Sequence, residues 1–157
     1  MLLEAGADIE ARDTEQYSAL ECYRTADTYV SVKNPTALMR AAERHDEAII
    51  QFLLANNANV NLADPETGIT PLMLAVYNTA RYQTVRDPEI ARIAIKRKLP
   101  TIALLLIAKA DVNALSKTEI SVLTIAHRQG AEEIEHQLLA FGAKDPTGRC
   151  SCSCICM

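Results

Sequence analysis

One short pattern recurs four times along this chain, and it constrains the fold more than any other feature. LLEAGADIEARD from Leu2, LLANNANVNLAD from Leu53, LLIAKADVNALS from Leu105 and LLAFGAKD from Leu138 align without gaps. Each carries a Leu pair and then Ala four residues past the second Leu, at Ala7, Ala58, Ala110 and Ala143. In the first three a polar–aliphatic–polar triplet follows, as in Asp8-Ile9-Glu10 and Asp111-Val112-Asn113. A unit this small cannot bury its apolar face alone, so the units must stack on one another.

A second pattern precedes three of the Leu pairs: TALMRAAERHDEAIIQF from Thr36, TPLMLAVYN from Thr70 and SVLTIAHRQGAEEIEHQ from Ser121. Thr36 to Leu53 and Ser121 to Leu138 are both 17 residues, and Leu106 to Leu139 is 33. Leu38, Ala41 and Ala42 fall at i, i+3 and i+4, the narrow apolar face of a helix whose small residues permit close approach. Ile49, Ile50, Leu53 and Leu54 make a wider stripe on a second helix. Thr36, Thr70 and Ser121 stand where a hydroxyl caps the first helix, and Pro71 stands where a missing amide hydrogen costs least. Gly6, Asn57 and Gly142 follow the second helix at the position expected to need a positive φ. Lys109 takes that position in the third copy and predicts mild local strain.

These residues resemble the ankyrin repeat, a unit of about 33 residues built from a β-turn and two antiparallel helices. The resemblance covers most of residues 36–143 and the fragment before Asp13. It implies an all-α solenoid of about three to four helix-turn-helix units. The array is expected over residues 1–145: a partial repeat at 1–13, an insert at 16–34, a repeat at 35–67, a repeat at 68–117 with an insert at 78–98, and a repeat at 118–145. Residues 146–157 form an expected disordered, Cys-rich tail. The inserts follow from spacing, since Leu3 to Leu54 is 51 residues and Leu54 to Leu106 is 52, against a period of 33. Asp87-Pro88-Glu89 reads as a helix start, so a short extra helix is expected from Pro88 to Lys98, with Pro100 opening the next. The array starts mid-repeat, which fits either a truncated array or a frayed first repeat.

The net charge is −4 and the pI about 5.4. That balance argues against general nucleic-acid binding. Lys96-Arg97-Lys98 is a local exception, expected at a helix end where cations complement the dipole. No apolar run reaches the ~18 residues of a membrane span. The N-terminus carries no charged segment followed by an apolar one, as a secretory signal would. Four of the five cysteines lie in the last eight residues and Cys22 stands alone, a distribution that fits a reducing cytosol.

The final residues, Cys154-Ile155-Cys156-Met157, read as a C-a-a-X box, with a terminal Met favouring farnesyl on Cys154. One isoprenoid binds a membrane only marginally, so a second signal is needed. Palmitate on Cys150 or Cys152 would supply it. Two other readings stay open: an unmodified tail with incidental thiols, and a C-x-C-x-C-x-C site for a soft metal. Ingredients for catalysis are missing. His45, His127 and His136 pair with no nucleophile in a recognisable way, and Glu132, Glu133 and Glu135 read as one solvated helix face. No enzyme activity, cofactor or small-molecule substrate is expected.

The resemblance further implies a protein partner bound by the turn tips and the first helices. At the turns these are Asp64, Glu66, Thr67 and Ile69, then Ser116, Lys117, Glu119 and Ile120. On the helices they are Arg40, Glu43, Arg44, Tyr77, Asn78, Arg128 and Gln129. Tyr82 and Arg86 lie in the second insert, and inserts in repeat proteins often map to the binding face. The expected function is a protein-binding adaptor in the cytoplasm, held on the cytosolic face of a membrane by farnesylated Cys154. An ankyrin array with such a terminus resembles effectors of intracellular bacteria such as Legionella, which would place it on a host membrane, and it equally fits a eukaryotic or giant-virus ankyrin protein. The alternative is a cytosolic scaffold, or a fragment of a longer array, with an incidental tail.

Overall fold

The computed structural model describes residues 6–13, 32, 34–77 and 88–144. These residues form six helices: α1 (Ala37–Arg44), α2 (Glu47–Ala55), α3 (Pro71–Tyr77), α4 (Pro88–Ile107), α5 (Val122–Arg128) and α6 (Glu132–Ala140). They pair as α1/α2, α3/α4 and α5/α6. First helices stack in one layer, α1 on α3 on α5, and second helices in another, α2 on α4 on α6. Among the described residues the only β-type pairing is two isolated antiparallel bridges, Arg12 with Thr36 and Leu115 with Ser121.

Local sequence explains each helix start. The Thr36 and Ser121 hydroxyls accept from the amides of Met39 and Thr124, and the Thr70 hydroxyl accepts from Met73, so all three expected caps form. Asp46 caps α2 in the same way, accepting from Ile49. The left-handed positions also fall where the motif puts them: φ is 83° at Gly6, 67° at Asn57, 66° at Lys109 and 87° at Gly142. His45 ends α1 with φ 56°. In the third repeat the equivalent residue is Gly130, also left-handed.

The polar triplets hold neighbouring units together. Their first member bonds the amide two residues on: Asp8 to Glu10, Asn59 to Asn61 and Asp111 to Asn113. Their third member reaches the next unit. The Glu10 carboxylate accepts from the Asn59 amide at 2.6 Å, Asn61 Oδ1 from Asp111 at 2.7 Å, and Asn113 Oδ1 from Lys144 at 2.8 Å. Asn61 and Asn113 also donate, to the carbonyls of Lys109 and Gly142. Backbone groups at each junction are thus satisfied by side chains of the preceding unit.

The second insert departs from expectation. No separate helix ends at Lys98, and Pro100 opens nothing: both lie inside the 20-residue α4. Leu105 aligns with Leu53, so the start of α2 at Glu47 corresponds to Leu99, and α4 begins eleven residues earlier at Pro88. Proline inside a helix removes a hydrogen bond and crowds the carbonyl four residues back. Here the helix persists because one packed face runs across the break. Lys98, Thr101, Ile102 and Leu105, at i, i+3, i+4 and i+7, are all buried, and α4 packs against α2, α3 and α6. The helix-end reading of the basic run falls with it. Lys96 and Arg97 are exposed at mid-helix, while Lys98 is only 2 % exposed. Most of the first insert lies outside the described residues.

Candidate functional site

The turns stand beside the first helices, and that is where most of the expected contact residues converge. The second turn is closed by the Asp64 amide donating to Ile69 O at 2.8 Å and the Gly68 amide donating to Asp64 O at 2.7 Å. Asp64 Oδ2 accepts from both the amide and the hydroxyl of Thr67. The third turn closes likewise, with the Ser116 amide donating to Ile120 O and the Glu119 amide to Ser116 O. Adjacent turns are then joined: the Lys117 amide donates to Thr67 O at 2.9 Å, and Lys117 Nζ donates to Pro65 O. Gly68 makes this approach possible. It has φ 73°, and a Cβ there would lie 2.9 Å from the Lys117 nitrogen.

Between these turns and helices α3 and α5 lies a cleft of about 160 Å³. Glu66, Thr67, Ile69, Tyr77, Ser116, Lys117 and Ile120 all line it, so the structure brings together more than half of the turn residues singled out from sequence. Sequence reasoning missed Met73, Thr118 and Ile125, which complete the lining. The available signal was register: Met73 and Tyr77 are four apart on α3, so one helix face presents both.

The remaining residues divide by burial. Arg44, Glu66, Lys117, Glu119 and Arg128 are exposed. Asp64 is 1 % exposed and Glu43 8 %, and Ile69 and Tyr77 are also buried. Asp64 therefore serves the turn, and Glu43 pairs with Arg40 at 3.5 Å, which in turn pairs with Asp13 at 3.4 Å. Gln129 Nε2 donates to the Tyr77 carbonyl at 2.9 Å, tying α5 to the end of α3. Asn78, Tyr82, Arg86, Cys150, Cys152 and Cys154 lie outside the described residues.

The unusual electrostatics sit elsewhere. Burial pushes the Lys98 ammonium down to about 7. Burial also pushes the His45 imidazole down to about 4, with cationic Lys98 and Arg97 adding to the effect. Among the described residues, neither His45 ring nitrogen has a hydrogen-bond partner. His127 is exposed and stands 3.5 Å from Glu135. His45 closes α1 and His127 lies on α5, so the two belong to the first and third helix pairs. Among the described residues, no group of three His, Cys, Asp or Glu side chains could hold a metal ion. Nor is any described helix long and apolar enough to cross a membrane.

Comparison with known proteins agrees with this architecture. Residues 1–86 match the family described as Ankyrin repeats (3 copies). An ankyrin repeat domain from Acinetobacter baumannii AYE is 31 % identical, with a TM-score of 0.61, over 92 % of this chain and 74 % of that one. The Legionella effector AnkH is 25 % identical with a TM-score of 0.61, over 90 % of this chain and 23 % of that one. The ankyrin repeat domain of Bcl-3, a member of the IkappaB family, is 25 % identical with a TM-score of 0.56, over 76 % and 46 % respectively. This chain therefore spans less than half the length of the last two. No curated protein matches the sequence. With more than half of the chain matching the family, and with capped helix pairs joined by closed turns, the chain belongs to the ankyrin repeat family.

Proposed function

We propose that this protein is a binding adaptor that holds one protein partner against its turn tips and first helices. Ankyrin repeats are protein-interaction modules, and the family assignment carries that much. The observation that supports this particular surface is the cleft between the second and third turns, with exposed Arg44 and Arg128 on the flanking first helices. Its lining sets an apolar floor within a polar rim, the anatomy of a protein interface. Purification from a eukaryotic lysate tests it. Arg44→Ala with Arg128→Ala should release the partner, and Glu133→Ala on the outer helix α6 should keep it. Equal retention by both variants contradicts the reading.

The C-terminal sequence supports a second element, a membrane tether through a farnesyl group on Cys154, with Cys150 or Cys152 as the palmitoylated second signal. The similarity to AnkH, a Legionella effector, favours a setting in which host enzymes attach the lipid. An alkyne-tagged farnesyl donor in a eukaryotic lysate should label the intact chain and not Cys154→Ser. Absence of label on a chain whose C-terminus is intact by mass removes the tether and leaves a scaffold without a lipid anchor.

A further inference from the structure

We infer that the cleft between the second and third turns is an anchor pocket for one uncharged apolar side chain of the partner, of leucine or phenyl size. The inference rests on the partner-binding reading and adds what that partner must present. Size decides first. The cleft measures about 160 Å³. Sites for metabolites and drug-sized ligands run to about 300–1,000 Å³, whereas an apolar cavity of about 150 Å³ accepts a single benzene. The space fits one side chain.

Chemistry decides next. The floor is formed by Ile69, Met73, Tyr77 and Ile125, each buried and each part of the core. A floor made of core residues exists before the partner arrives, so filling it costs little ordering. The Met73 thioether adds a polarizable contact suited to an aromatic ring. The rim carries one carboxylate, Glu66, and one ammonium, Lys117, together with hydroxyls. These charges balance. A charged side chain entering would lose hydration without meeting a net counter-charge. A neutral apolar group loses nothing comparable and gains burial. An apolar floor inside a polar rim is the arrangement in which a central anchor dominates an interface.

The test uses the full chain with 13C-labelled Ile and Met methyls, titrated with four probes: the N-acetyl amides of phenylalanine, leucine, alanine and lysine. The expected result is saturable shifts of the Ile69, Ile125 and Met73 methyls with the phenylalanine or leucine probe. The alanine and lysine probes should bind at least tenfold more weakly. Thr118→Trp, at an exposed rim position, should abolish the shifts while leaving the thermal midpoint unchanged. No saturable shift, equal shifts from the lysine probe, or shifts that survive Thr118→Trp would overturn the inference. The partner-binding reading is judged separately, by release of the partner on Arg44→Ala with Arg128→Ala, positions outside the cleft. A pocket that fails while that release persists removes the anchor alone.

Discussion

Lys109 holds a left-handed backbone, φ 66°, at a position where two of the three equivalent residues are glycine. A Cβ in that conformation costs roughly 1–2 kcal/mol. Lys109→Gly should therefore stabilise the protein by about 1 kcal/mol and raise its thermal midpoint by about 2–4 °C, measured by calorimetry. A lower midpoint would mean that the Lys109 side chain contributes more than its backbone strain costs. This strain was legible in the sequence, because the motif fixes the register of the turn. Lys98 was not. The run of three cations reads as a helix end whose charges complement the dipole, and only the packing of α4 shows that one of them is turned inward. Its folded pKa, about 7, lies below the ordinary value of 10.5. Between those values the unfolded chain binds more protons than the folded one, so stability rises with pH across that window. Below about pH 7 both states are protonated and the burial penalty is present in full. Lys98→Met should raise the thermal midpoint at pH 7 and flatten the increase between pH 7 and 10, read from melts at several pH values. A rise with pH that persists unchanged in the variant would assign the effect to another group.

The junctions between elements depend on a few side-chain amides. Asn61 caps its own turn through Asn59, accepts from Asp111 and donates to the carbonyl of Lys109. Asn61→Ala leaves that amide and that carbonyl to water, and should lower stability by about 1 kcal/mol in urea unfolding. The same geometry at Glu10 and Asn113 makes the expectation general: the third residue of each triplet bonds one unit to the next. The triplet was visible in the sequence, but its role was not, since a bond to a residue 50 positions away needs the stack to form first. Pro100 shows the opposite error. Local rules place a helix start at a proline, yet the packed face Lys98, Thr101, Ile102 and Leu105 carries α4 through it. Pro100→Ala restores the amide that can donate to the Lys96 carbonyl, so it should stabilise by up to about 3 kcal/mol without altering the helical circular dichroism appreciably. A loss of stability, or a large gain in helical signal, would indicate that α4 is two helices divided at the proline.

Position in the stack determines which equivalent residues are covered. Ile49 on α2 is 47 % exposed, while its counterparts Thr101 on α4 and Ile134 on α6 are fully buried. At the other end Leu139 on α6 is 44 % exposed, while Leu106 on α4 is buried. The same motif position is thus core inside the array and surface at its end, as expected for a quasi-one-dimensional solenoid. A sequence motif cannot distinguish these cases, because the covering surface belongs to the neighbouring unit. The same holds for the cleft. Its turn residues were legible from the repeat pattern, whereas Met73, Thr118 and Ile125 join them only once α3 and α5 stand side by side. The central claim is that a protein partner engages the turns and first helices. It is tested most directly by placing a photo-crosslinking amino acid singly at Glu66, Lys117, Arg44 and Arg128, and at Ala48 and Glu133 on the second helices. Irradiation in a eukaryotic lysate should give adducts of one common mass from the first four positions and none from the last two. Adducts confined to Ala48 and Glu133, or equal at all six positions, would contradict the account.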